Sequence, residues 1–229
     1  MTFFGQSDEV NGTPQVDGVG QVDGVGQVDG SVSAATVDAG ARKRALRAEI
    51  RARRESLDAG QKAAASAGLT RSLISLIPPR RPVTVACYLS TASEPDTRPF
   101  VAWAAQNGVR VLLPISREDG RLDWVDGQGD VEVPGLFGIG ERVGEVLPPD
   151  ALSSVDLMLI PAAAVDHSGM RMGWGRGYFD RTIASLTNRP KIVAVVYDED
   201  VYDAVPREPH DLPVDGVVTP SGVRHFAEE

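Results

Sequence analysis

The stretch from Arg171 to Arg181, RMGWGRGYFDR, carries the residue types best able to do chemistry. Gly173, Gly175 and Gly177 alternate with larger residues, and a basic residue stands at each end. Glycine tolerates positive φ and lets backbone N–H groups approach a ligand closely. Arginine offers a fork of donors that matches phosphate oxygens. Asp180 adds a carboxylate of the kind that holds Mg²⁺ against phosphate. The segment follows the apolar run Val155–Ile160, read as a buried strand, and leads into a predicted helix over Tyr178–Leu186. A Gly-rich turn before a helix start suits an anion. The spacing matches neither the nucleotide P-loop nor the dinucleotide fingerprint, so the pattern alone fits a phosphate loop or a tight structural turn.

Other candidates lie on loops. Ser90 to Thr97 follows a predicted strand and carries Glu94, a candidate ligand contact, and Asp96, a candidate helix cap. Val205 to Asp215 holds three prolines and the pair His210-Asp211. No Ser or Cys sits in a nucleophile elbow, and Cys87 lies in an apolar run, so a hydrolytic triad is not expected. One Cys and three scattered His exclude a Cys/His metal site. An oxygen-ligand Mg²⁺ site from Asp180 and Asp211 stays open. Asp166 and His167 read as ordinary turn residues.

The elements that must position these residues alternate. Ala41–Leu57 reads as a basic helix with Arg42, Lys43, Arg44, Arg47, Arg51, Arg53 and Arg54, either a solvated face or a ligand site. Asp58 opens a second helix that stops at Pro78. Strands are predicted at 83–89, 109–113, 121–125, 155–160, 192–197 and 216–219, with helices at 97–107 and 178–186 and a loop-rich stretch over 127–149. This pattern predicts an α/β fold: a mostly parallel sheet with helices on both faces, three-layered and Rossmann-like. Ligands in such folds bind beyond the carboxyl ends of the strands.

Composition narrows the function classes. The 229 residues predict a single α/β domain over 41–229, preceded by a disordered, low-complexity tail over 1–40. The tail repeats a QVDGVG hexad, too short to stack as a calcium-binding repeat. It holds six acidic residues and no Lys or Arg. Taking those six from the 32 acidic residues leaves 26 against 23 basic ones. The body is therefore near charge balance, which argues against nucleic acid as a partner. No membrane span or secretory signal is visible, and the expectation is a cytoplasmic monomer.

Five blocks together resemble the 5-formyltetrahydrofolate cyclo-ligase family, the 5,10-methenyltetrahydrofolate synthetases. They are KRALR at Lys43–Arg47, YLS at Tyr88–Ser90 with Glu94, DLMLIP at Asp156–Pro161, the glycine block, and EPHDLPVD at Glu208–Asp215. They span about residues 41–222. The resemblance implies ring closure of 5-formyltetrahydrofolate to 5,10-methenyltetrahydrofolate, with ATP as co-substrate and Mg²⁺ as cofactor. It implies Lys43 and Arg176 as the catalytic cations. ATP would meet Lys43, Arg44, Arg47, Arg171, Gly173, Trp174, Gly175, Arg176, Gly177, Tyr178 and Phe179. The folate would meet Leu89, Glu94, Trp174 and Tyr178, and Mg²⁺ would meet Asp180 and Asp211. Arg51, Arg53 and Arg54 keep the solvated-face reading. The segment from Phe137 to Arg142 resembles a family element but lacks its prolines, so it receives no substrate contact. Rival readings are a relative acting on a thiamine-related formamide, a non-catalytic folate- or nucleotide-binding module, and a sugar-phosphate isomerase of similar architecture.

Overall fold

The computed structural model describes residues 31–79, 82–129, 131–208 and 211–226. The expected disordered tail lies outside these residues as far as position 30. Its last stretch is helical: α1 runs Ser31–Glu55, starting before the expected Ala41. Helix α2 (Ala59–Ser75) opens on a reciprocal cap, in which Gln61 donates its N–H to Asp58 Oδ1 at 2.8 Å and accepts the Asp58 N–H at 2.9 Å. It ends before Pro78-Pro79, which cannot continue a helix.

The chain then alternates: β1 (Val83–Ala86), α3 (Arg98–Gln106), β2 (Val109–Ser116) and β3 (Leu122–Asp126). The expected loop of 127–149 contains a small hairpin, β4 (Glu132–Pro134) and β5 (Gly140–Arg142). Next come β6 (Leu157–Pro161), β7 (Ala164–Asp166), β8 (Arg171–Met172), α4 (Tyr178–Ser185) and β9 (Lys191–Val195). The chain finishes with β10 (Val201–Tyr202), β11 (Gly216–Thr219) and β12 (Gly222–His225). Four of these strands escape the sequence reading: β12 at the sheet edge, and the short β7, β8 and β10, which form a separate small sheet.

The main sheet has seven strands in the order β12-β11-β9-β6-β1-β2-β3. The five inner strands are parallel, and antiparallel β12 and β3 close its two edges. β2 runs past the expected stop at Pro114, because beyond Leu112 it pairs with β3 alone. Proline is tolerated where one side of a strand has no ladder to feed.

Side-chain alternation along the strands builds two cores. Val85, Val111, Leu159 and Val193 face α2 and α3, meeting Leu69, Leu73 and Phe100. Ala86, Leu112, Met158, Ile192 and Ala194 face the other way, toward Leu152, Ile183 and Leu186. The layers are therefore helix, sheet, helix, as expected. A third, smaller cluster fixes α1: Ile50 is fully buried against Ala163, Ala164, Met172 and Val205. Burying one Ile side chain contributes about 1.5–3 kcal/mol. This places α1 across the carboxyl ends of the strands.

Chain order reverses between β1 and β6, which are neighbours in the sheet. Crevices in open α/β sheets form at such switch points. The loop after β1 carries Glu94, and the segment after β6 leads to the glycine block.

Candidate functional site

The glycine block opens α4. Gly175 has φ +92° and Gly177, the N-cap of α4, has φ +70°. Both lie in the left-handed region, where a Cβ is strained. A Cβ on Gly177 would stand 2.8 Å from Arg181 Nη1, and one on Gly175 would stand 3.3 Å from the Arg47 guanidinium. Tyr178 donates its hydroxyl to the Arg117 carbonyl at 2.8 Å, and Arg181 donates to the Gly120 and Arg176 carbonyls. The loop is thus fixed from both sides.

Helix α1 reaches it through one face. Lys43, Arg47, Ile50 and Arg54 follow a spacing of four, three and four residues and share that face. Arg47 Nε donates to the Gly173 carbonyl at 2.7 Å. Lys43 Nζ donates to Glu208 Oε2 and Asp211 Oδ2, each at 2.7 Å, and is only 6% exposed. Burial pulls the lysine pKa down, but the bonds to Asp211 and Glu208 outweigh it and leave the pKa above its ordinary value. Lys43 is therefore a firmly charged ammonium. Burial lowers the Arg47 pKa, opposed by Glu208, Asp211 and Asp180. Arg47 thus stands in the field of both carboxylate groups expected to hold Mg²⁺. Each of those carboxylates meets a cation: Arg171 pairs with Asp180, and Lys43 with Asp211. Among the described residues no group of three or more His, Cys, Asp and Glu could hold a metal alone.

A cavity of about 130 Å³ lies between the glycine loop and the end of β1. Tyr88, Leu89, Glu94, Arg171, Trp174, Arg176, Tyr178, Phe179 and Asp180 are in its wall, with Gly173, Gly175 and Gly177. The structure therefore brings the expected contacts of the glycine block together with Leu89 and Glu94. Lys43, Arg44, Arg47 and Asp211 are not in that wall. Arg44 is exposed, off the shared face of α1. Ile139 and Gly140 do line the cavity, so the segment left without a contact in the sequence reading belongs to the site. A wider groove of about 1000 Å³ begins on the far side of Glu94, between α2 and the loop from Ser90 to Pro99. It does not touch the glycine loop.

Three buried donors in that wall have no protein partner among the described residues: the Tyr88 hydroxyl, Arg171 Nε and Trp174 Nε1. Burying an unpaired donor costs about 1–3 kcal/mol each, which marks these three atoms as places where a partner is missing. Burial pushes the Tyr88 hydroxyl well above its ordinary pKa, so it stays a neutral donor. Glu94 supplies the opposite character. Its Oε2 accepts the backbone N–H and the hydroxyl of Thr91, each at 2.9 Å, and none of the described hydrogen bonds uses Oε1. Glu94→Gln keeps an oxygen for Thr91 but loses the charge. It should raise KM for a folate far more than KM for ATP, and an equal rise in steady-state kinetics would reassign Glu94 to bracing its loop.

Several sequence readings are corrected. Arg54 is 1% exposed and is no solvated cation. It pairs with the fully buried Asp200, and Arg53 pairs with the same carboxylate. Only Arg51 of the three is exposed, and even its guanidinium lies 5.7 Å from the Trp174 ring centroid. Asp166 is more than a turn residue: it is buried, and it accepts from Ser168, Met170 and Val205, tying β7 to the loop before Glu208. Asp96 does cap α3, accepting the Arg98 N–H at 3.1 Å, while Thr97 takes the N-cap place. His210 lies outside the described residues. The Cys87 thiol is fully buried, and burial pushes its pKa up to about 12, consistent with a packing role. No helix among the described residues is long and apolar enough to cross a membrane.

Comparison with known proteins identifies the family. The model of the 5-formyltetrahydrofolate cyclo-ligase family matches residues 39–220. A Mycolicibacterium smegmatis protein named 5-formyltetrahydrofolate cyclo-ligase is 36% identical over 142 residues, covering 60% of this chain and 73% of its own. The Escherichia coli K12 protein of the same name is 32% identical over 181 residues, covering 76% of this chain and 98% of its own. The NMR structure of Aquifex aeolicus 5,10-methenyltetrahydrofolate synthetase superposes with a TM-score of 0.69 at 28% identity, covering 82% of this chain and 94% of that one. The matched span takes in Lys43, Glu94, the glycine block and Asp211 alike, and the chain belongs to the 5-formyltetrahydrofolate cyclo-ligase family.

Proposed function

We propose that the chain closes 5-formyltetrahydrofolate to 5,10-methenyltetrahydrofolate, consuming ATP and releasing ADP and phosphate. The observation that carries this reading is the cavity wall. A phosphate-type glycine loop, three unpartnered buried donors and a carboxylate surround one space. Acceptor-rich phosphate suits the first two, and the N–H edge of a pterin suits Glu94.

The chemistry needs no nucleophilic side chain. The formyl oxygen of the substrate attacks the γ-phosphorus, and ADP leaves. The folate's own N10 then attacks the activated formyl carbon and loses its proton, and the C–O bond breaks to release phosphate. Both attacks join groups already held together, so positioning and charge neutralisation do the work. The glycine-loop N–H groups and Arg171 would hold the phosphates, with Arg176 neutralising charge on the transferring group. Lys43 and Arg47 would steady the nucleotide from α1. Glu94, Leu89, Trp174 and Tyr178 would hold the folate.

Asp180 and Asp211 are the residues that would hold Mg²⁺, completed by phosphate oxygens; the ion would supply positive charge opposite the polyphosphate. Asp180→Asn and Asp211→Asn should each weaken the apparent Mg²⁺ affinity at fixed ATP, and the double change should be far from additive. An unshifted Mg²⁺ midpoint in all three variants, with lower melting temperatures, would make both residues structural anchors for Arg171 and Lys43.

The assay for the function mixes the protein with 5-formyltetrahydrofolate, ATP and Mg²⁺ and follows the absorbance of methenyltetrahydrofolate. No signal with this substrate, but ATP turnover with a thiamine-related formamide, would transfer the reading to that substrate class.

A further inference from the structure

Arg54 is buried between the loop before Glu94, the end of β6, the glycine block and the turn after β9. Its Nε and Nη2 donate to Asp200 Oδ2 at 2.9 and 2.7 Å. Nη2 also donates to the carbonyls of Ala162 and Ala163, each at 3.1 Å, just past the end of β6. Nη1 donates to the carbonyl of Ser93 at 3.4 Å, one residue before Glu94. The plane of the guanidinium is used as well. Its carbon lies 5.0 Å from the Trp174 ring centroid and 5.3 Å from that of Tyr197. Tyr197 in turn donates its hydroxyl to the Glu94 carbonyl at 3.4 Å.

One side chain therefore touches the glycine loop through Trp174 and the folate loop through Ser93, and it is anchored on the ends of β6 and β9. These contacts use both edges of the group for hydrogen bonds and set its charge beside two aromatic rings. Only a planar, permanently charged fork can do this. A lysine could still pair with Asp200, but it would reach neither set of carbonyls together nor lie flat on the rings. The charge is balanced by Asp200, whose other oxygen is held by Arg53. Arg54 lies outside the cavity wall.

We propose that Arg54 is a positioning residue that couples the two halves of the site, so that filling the glycine loop with nucleotide pre-orders the Glu94 loop for folate, and the reverse. This rests on the proposed cyclo-ligase reading. The physical route is shared ordering. Either ligand fixes one loop against the guanidinium, and the second ligand then has less motion left to remove. Such coupling is reciprocal, so one factor describes both directions.

The test is calorimetric titration of the full chain with the non-hydrolysable analogue adenylyl imidodiphosphate and with 5-formyltetrahydrofolate, each alone and with the other saturating. In the wild type each ligand should tighten the other by a common factor, in the range of about 5- to 150-fold typical of linked sites. Arg54→Lys should bring that factor close to one, while each ligand alone binds less than tenfold more weakly. Should Arg54→Lys fail to fold, Trp174→Leu removes one stacking face at a less buried position. It should also abolish the factor, whereas a Trp174 that only touched the ligands would weaken their separate binding and leave the factor intact. A wild type that binds both ligands with no mutual effect overturns the proposal, as does a variant that keeps the wild-type factor. A wild type that binds neither ligand would overturn the cyclo-ligase reading instead.

Discussion

Lys43→Met should be among the most damaging single changes in the protein, costing both stability and nucleotide affinity. Lys43 is the shared partner of Glu208 and Asp211, and its side chain is 8% exposed. Removing it leaves two carboxylates facing each other in a poorly solvated place. Breaking a buried pair costs roughly 3–5 kcal/mol, and the partial exposure of the two acids lowers the expectation to about 2–4 kcal/mol. For a chain of this size that is a melting temperature lower by about 4–16 °C. The pH dependence has a definite sign. The folded pKa of Lys43 lies above the ordinary 10.5, so the stabilisation is fully present below that value and is lost as pH rises through the folded one. The gap between wild type and variant should therefore hold across neutral pH and narrow only in strongly alkaline solution. A thermal scan and an ATP titration check both parts. An unchanged melting temperature together with an unchanged ATP KM would remove Lys43 from the site.

Arg176→Ala should separate chemistry from folding. Arg176 is exposed, sits between Gly175 and Gly177, and borders the cavity. Its loss should leave the melting temperature nearly unchanged, since Gly175, Gly177 and Arg181 hold the loop. Turnover should fall by roughly one to three orders of magnitude, the range seen when a cation or donor opposite developing charge is removed. Arg176→Lys should recover part of it, because a point charge neutralises without forking. Turnover in the Ala variant within a factor of two of wild type would place the transition-state charge elsewhere.

The parallel core and the glycine loop were legible in the sequence for the same reason. Both are local: a buried strand is an apolar run, and a left-handed turn demands glycine. Strand β12 was not, because Gly222–His225 is paired at the sheet edge, only partly buried, and carries no apolar run. Arg54 was misread because arginine looks the same whether its partner is water or a carboxylate distant in sequence. The signal that could have found it is its place on α1. Lys43, Arg47 and Arg54 recur on the face of Ile50, the fully buried apolar residue of that helix, while Arg44 and Arg51 do not. A cation on the buried stripe of a helix needs a partner, and Asp200 and the pair Glu208 and Asp211 are those partners. Their identity could not be read in advance, because it depends on how β9 and the loop after β10 fold back over α1.

The strand order sets when during synthesis this enzyme can come into being. β1 pairs with β6, so Val85 waits for Leu157. Lys43 waits for Glu208 and Asp211, and Gly68 on α2 lies so close to the Pro220 carbonyl that a Cβ would stand 2.6 Å from it. A nascent chain that has emerged only through β3 holds an open β1 edge, an unseated α1 and a lysine without its acids. The centre of the sheet and the first helix both close on segments made last. The proposed nucleotide site is thus complete only once the last loop has emerged, and a ribosome stalled before Asp211 would display an α1 whose Lys43 has neither of its carboxylate partners.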